Sequence, residues 1–228
     1  MIYQPEKIKP ITISRIIQEI EVEKYLQSIK ENYIKESPQE IKNITVGERY
    51  DNPDINQYIC QEYLKSNPER LGEFQFYTKR YELYQKTEEN IIYYALIDGK
   101  YIILSYDVRP LTIGNLKGVE SLSVIQSRIG DRSSWQFIAR HFVFGYILKE
   151  YDFILSDKKH TSLGKTFWKG LFIESLNKFK CYVYNPKDNN LIVLTDVNQF
   201  ETYYEKQYEN FKFIISNKEF SNVPIPGG

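Results

Sequence analysis

The stretch "EYDFILSDKKHTSLGKTFWKGLF", Glu150–Phe172, decides how the chain is read. Phe153-Ile154-Leu155 is a short apolar run that stops abruptly at Ser156-Asp157. Two lysines, His160 and Thr161 follow. Apolar residues then recur at helical spacing, as Leu163, Phe167, Trp168, Leu171 and Phe172. The segment therefore reads as a buried strand, a polar turn and a helix from Thr161 to about Leu176. Asp157 and Thr161 suit the helix start, because their side-chain oxygens accept amides that the first turn leaves free. The same place is the carboxyl end of a strand, where His160, an imidazole titrating near neutrality, also suits a reactive site.

Working outward, the preceding residues Trp135, Ile138, Ala139, Phe142, Val143, Tyr146 and Ile147 predict a long helix, with Asp131 or Ser133 as its N-cap. Before it, Val119–Gln126 reads as a strand. Ile91–Val108 reads as a hairpin around Asp98-Gly99, where a type I′ turn needs positive backbone angles. Phe74, Phe76, Tyr81 and Leu83 alternate as a strand with an irregularity near Thr78. Pro53–Leu64 reads as a helix with Ile55, Tyr58, Ile59 and Tyr63 on one side, ended by Asn67-Pro68. At the N-terminus, Lys7–Ser14 predicts an edge strand that leads into a helix through about Lys30.

Downstream, Lys180–Val197 predicts a hairpin that closes the sheet, with Pro186, Asp188, Asn189 and Asn190 in its turn. Tyr203, Tyr204 and Tyr208 fit a terminal helix and Phe211–Ser216 one more strand. No repeat and no long linker interrupts the pattern, so one domain over residues 1–220 is expected. It comprises an N-terminal strand and two helices (7–66), strands (74–126), a helix-strand-helix-hairpin core (131–197) and a last helix and strand (198–216). Residues 217–228 form a tail. The fold class is α+β, a mostly antiparallel central sheet flanked by helices on both faces.

Composition narrows the function. Of 228 residues, 42% are hydrophobic and 26% charged, and Lys plus Arg equals Asp plus Glu at 30 each. Zero net charge removes the long-range attraction that nonspecific nucleic-acid binding needs. No run is long enough to cross a bilayer, and Pro5 and Glu6 break any secretory signal at the start. Two cysteines and two histidines argue against a disulfide scaffold or a zinc site, and Cys60 and Cys181 fit buried apolar roles. Alanine occurs only at Ala95 and Ala139, while Ile, Lys, Asn, Tyr and Phe abound, a bias toward A/T-rich codons. Many tailed phages and their hosts share that bias.

"IKPITISRIIQEI", Ile8–Ile20, resembles the opening strand and helix of the GNAT superfamily of acetyl-CoA-dependent N-acetyltransferases, and the later element order matches that fold. Tyr146, Leu148, Ser156, Asp157, Thr161, Gly164, Trp168 and Leu171 resemble a variant of it common in tailed-phage proteins. The resemblance implies an acyl-CoA diphosphate cradled by amides of a Gly-rich turn at a helix N-terminus. Here that junction reads "QSRIGDRSSWQF". Gln126, Arg128 and Gly130 are present, with Arg132, Ser133 and Ser134 as further cofactor-binding candidates, but the pattern's second small residue and its spacing are absent.

The resemblance further implies a carboxylate base on the central strands, for which Glu120 is the candidate, and a tyrosine acid after the following strand, while Asp157 and His160 near the carboxyl end of that strand are further catalytic candidates. No Tyr occurs between Ser156 and Leu176, so that acid has no counterpart. "SLGKT", Ser162–Thr166, lacks the leading glycine of a phosphate loop and falls inside a helical pattern. The expectation is therefore a GNAT-like phage protein without catalysis or cofactor. It works through protein contacts in a virion, a tail assembly or with a host protein, is oligomeric there, and resides in the host cytoplasm or the virion. No metal, membrane insertion or nucleic acid is expected. The alternative is an acetyl-CoA-dependent N-acetyltransferase with a divergent loop.

Overall fold

The computed structural model describes residues 50–129, 132–156, 162–185, 187, 190–205 and 211–220, and Asn52-Pro53-Asp54 opens the first helix among them. The Asn52 side chain accepts the amides of Asp54 (3.0 Å) and Ile55 (3.2 Å), and Pro53 sits where no amide partner is needed. This helix, α1, runs Pro53–Lys65. Its buried arc is Ile55, Asn56, Ile59, Cys60 and Tyr63, all at helical spacing. Tyr58, expected on that side, lies on its margin and is 41% exposed.

Five strands follow: β1 (Glu69–Phe76), β2 (Lys79–Glu88), β3 (Ile91–Asp98), β4 (Tyr101–Ile113) and β5 (Leu116–Gln126). The irregularity expected near Thr78 is a two-residue turn, Tyr77-Thr78, that separates β1 from β2. The β3–β4 turn is centred on Gly99-Lys100, one residue later than expected, and Gly99 carries its positive φ of 60°. Helix α2 (Arg132–Phe142) continues through a π-helical stretch, Val143–Ile147, to a last turn at Leu148–Glu150. Then come β6 (Phe153–Leu155), α3 (Ser162–Ser175), β7 (Lys180–Asn185), β8 (Asn190–Val193), α4 (Val197–Glu205) and β9 (Lys212–Ser216). The strand and helix expected over residues 7–30, Tyr208 and the end of the tail lie outside the described residues.

The architecture is α+β. One mostly antiparallel nine-stranded sheet has the order β1-β2-β3-β4-β5-β6-β9-β7-β8. β6 runs parallel to β5, as a strand reached through a crossover helix does, with Val119 opposite Ile154. β9 lies between β6 and β7 and is antiparallel to both. The hairpin β7–β8 therefore reaches the rest of the sheet through β9, the last strand among the described residues.

The described residues group into two compact units. The first holds those up to Glu89, Tyr93–Ser105 and those of Ile125–Trp135. Its core packs Tyr50, Ile55, Ile59, Cys60 and Tyr63 with Ala95, Ile97 and Ile102. Asn56 is buried among them, donating to the carbonyls of Tyr50 (2.8 Å) and Ile102 (2.9 Å) and accepting the Ile102 amide (2.8 Å). A buried amide group is tolerated there because its donors and acceptor are matched.

The second unit holds Asn90–Ile92, Tyr106–Val124 and the described residues from Gln136 on. Asp152 sets the register of β6: it exchanges backbone and side-chain bonds with Lys117 (2.7 and 2.9 Å), and its carbonyl accepts from Ser216 and Asn217 (both 2.9 Å). One core cluster joins Phe153, Leu155, Ile214, Tyr182 and Tyr184 with Phe220, whose ring meets those of Phe153 and Tyr182 edge-on. On the other side of β9, Phe213 packs against Phe200 and Tyr204 of α4. All five residues of β9 are buried, so this strand is covered on both faces.

Candidate functional site

The junction between β5 and α2 is where the family resemblance puts a diphosphate. Gln126 ends β5, and Arg132, Ser133 and Ser134 form the first turn of α2, while Gly130 lies outside the described residues. Three consecutive amides of the connecting segment already have partners. The Ser127 N–H donates to the Ile103 carbonyl (2.9 Å). The Arg128 N–H donates to the Asp51 carboxylate (2.6 Å), and its guanidinium lies 3.4 Å from the other oxygen of that carboxylate. The Ile129 N–H donates to Ser127 Oγ (3.1 Å), which itself donates to the Tyr50 carbonyl (3.0 Å).

Charge-assisted bonds from a backbone amide to a carboxylate are among the stronger ones in proteins. Asp51 thus places a resident anion against the amide that a bound anion would need. Ser127 is fully buried, so its hydroxyl is a structural strut between Tyr50 and Ile129.

Of the base candidates, Glu120 is on β5 and Asp157 and His160 lie outside the described residues. Glu120 is not a solvent-facing strand carboxylate, for its side chain is only 13% exposed. One oxygen meets Lys212 Nζ of β9 (2.8 Å) and the other Arg109 Nη1 of β4 (2.9 Å). Both oxygens are therefore tied to cations rather than presented to an incoming amine.

Ser156 explains why the apolar run halts in polar residues. Its N–H donates to the Phe213 carbonyl and its hydroxyl accepts the Phe213 amide, both at 2.9 Å. The side chain thus prolongs the β6–β9 ladder by one residue where β6 ends. Trp168 is buried in α3, and Ser162–Thr166 lies at the start of that helix. Cys60 and Cys181 are buried thiols. Among the described residues no three His, Cys, Asp or Glu gather as a metal site, and no helix is long and apolar enough to cross a membrane.

Sequence reasoning missed Tyr50, Asp51, Arg109 and Lys212. Asp51 meets Arg128 from 77 positions away, and no local motif announces such a pairing. Lys212 did carry a signal, since a lysine inside the apolar run "FKFIIS" demands a buried counter-charge. In comparisons with known proteins, no family model, no curated protein and no solved structure matches the chain.

Proposed function

We propose that the chain is a GNAT-like protein whose coenzyme seat is closed and that it acts through contacts with other proteins. Its setting on this reading is a virion or tail assembly, or a complex with a host protein. The element order supports the fold part: a crossover from β5 through α2 to the parallel β6, then α3, a hairpin, and a strand inserted beside β6. Helices on both faces are part of this reading: α4 covers Phe213 on one side of β9, and Ile214, Leu155 and Tyr184 are buried on the other in a cluster with Phe220. The bias toward A/T-rich codons supports the phage setting.

One observation carries the functional part. The Arg128 amide is bonded to Asp51 at 2.6 Å, and the amides on either side of it are bonded within the chain. A diphosphate would have to break these bonds and displace a carboxylate of like charge. The competing reading is an N-acetyltransferase with a divergent loop, and thermal unfolding with millimolar acetyl-CoA separates the two. A coenzyme at 100 times its Kd adds about 2.7 kcal/mol to stability. The expected result is no saturable rise in Tm, and such a rise would favour the enzyme. For the contact reading, sedimentation should show a higher-order complex, whereas a strict monomer at all concentrations would count against it.

A further inference from the structure

We propose that the outer edge of β8 pairs with β8 of a second copy of this chain, about a two-fold axis at Ile192. The inference rests on the contact reading above and deepens it, naming one surface and one partner. Among the described residues β8 is the last strand of the sheet and is hydrogen-bonded to β7 alone. Val193, Ile192, Leu191 and Asn190 stand opposite Tyr182, Val183, Tyr184 and Asn185 of β7. Just beyond them the Leu194 N–H donates to the Cys181 carbonyl (2.8 Å). Bonded and non-bonded pairs alternate in an antiparallel ladder. Asn190 and Ile192 therefore bond β7, while the N–H and C=O groups of Leu191 and Val193 point away from it, off the edge of the sheet.

Sheet edges are normally blunted by charges, proline or a bulge. The opposite edge strand, β1, carries Glu69, Arg70 and Glu73, and its register shifts between Arg70 and Gly72. β8 reads Asn-Leu-Ile-Val, without a charged side chain, and Val193 is 55% exposed. The chain leaving β8 turns inward, for Phe200 and Tyr204 of α4 pack on Phe213 of β9, two strands further in.

The spacing of the outward groups selects the occupant. A two-fold axis at Ile192 sets Leu191 opposite Val193 of the second copy, and Val193 opposite its Leu191. Each of these pairs exchanges two backbone hydrogen bonds, so every outward donor and acceptor on the edge meets its complement. Leu191 and Val193 also share one face of the sheet, where Leu191 packs against the cluster of Tyr182 and Tyr184, and the apolar surface continues across the join. Charge does not oppose the approach of two copies, since the edge is uncharged and Lys plus Arg equals Asp plus Glu at 30 each. A strand of four residues makes a short contact, of the weak and reversible class.

The test is disulfide cross-linking of the purified full chain by copper–phenanthroline, in Ile192→Cys and Val193→Cys; the native thiols are buried. At the axis the two copies of position 192 form a non-bonded pair with Cα atoms about 4.5 Å apart, within disulfide reach. The two copies of position 193 lie roughly 8–9 Å apart, beyond it. Ile192→Cys should therefore form covalent dimer about tenfold faster or more than Val193→Cys, although Val193 is the more exposed residue, because pairing concentrates the opposed thiols. Val193→Pro removes only an outward N–H and keeps the bonds to β7. Added to Ile192→Cys it should erase that advantage, and in the wild-type background it should remove concentration-dependent association in sedimentation, with little change in Tm. Cross-linking of Ile192→Cys no faster than that of Val193→Cys, or association that Val193→Pro leaves intact, overturns the proposal. Where sedimentation of the wild-type chain nevertheless shows a complex, its contact lies on another surface, so this inference falls and the contact reading stands.

Discussion

The ring of Phe153 lies over Gly118, its partner across the parallel β5–β6 ladder, so closely that a Cβ on Gly118 would fall 2.3 Å from Cζ of the ring. Phe153 is fully buried beneath Phe220, so the ring has nowhere to retreat. Gly118→Ala is therefore expected to destabilise the protein by about 3 kcal/mol through overpacking. Urea denaturation checks the value, and Phe153→Leu in the same background should recover part of it.

Asn56 stitches α1 to β4 by bonding both backbone groups of Ile102. Asn56→Ala leaves that buried carbonyl and amide without partners and should cost about 3 kcal/mol in equilibrium unfolding. Asn56→Asp, which keeps an acceptor but buries a charge, should cost more. A loss below about 1 kcal/mol in both would show that the bonds are dispensable.

Burial pushes the thiols of Cys60 and Cys181 up to about 12, with Glu82 adding to the rise at Cys60 and a hydrogen bond with Ser175 opposing it at Cys181. At pH 8 only about one thiol in ten thousand is then ionised, and the thiolate is the reactive form. Labelling with a thiol reagent should be very slow in the native protein and should count two thiols after denaturation. Rapid native labelling would contradict the buried placement.

The hydrogen bond from Lys169 holds the Glu201 carboxyl below the usual glutamate range, against desolvation and with help from Lys165 at 3.3 Å. A depressed folded value stabilises above the unfolded-state pKa, about 4.3, and the contribution is lost as pH falls through the folded value. Glu201→Gln should lower stability at pH 7 by about 1 kcal/mol or less and flatten its decline in acid. An unchanged acid slope would exclude Glu201 as a source of it.

Elements written in local periodicity were legible, and pairings between distant strands were not. The α1 helix and the three-residue β6 follow from apolar spacing and capping residues. The Tyr77-Thr78 turn did not, because neither residue favours turns, and Tyr77 adopts a φ of 51° with 71% of its surface exposed. Nor does any local feature of Lys212–Ser216 say that it inserts between β6 and β7 rather than joining an edge. At the site, the strand end at Gln126 and Arg128 was visible in sequence. Asp51, which occupies the Arg128 amide, is chemically unremarkable until folding brings it there.

The occupancy of three amides is the claim on which the functional reading turns, and amide NMR measures it directly. In a ¹⁵N-labelled chain titrated with acetyl-CoA, the Ser127, Arg128 and Ile129 N–H signals should exchange slowly with solvent and keep their positions to millimolar coenzyme. Saturable movement of those three signals, with rapid solvent exchange before coenzyme is added, would contradict the account.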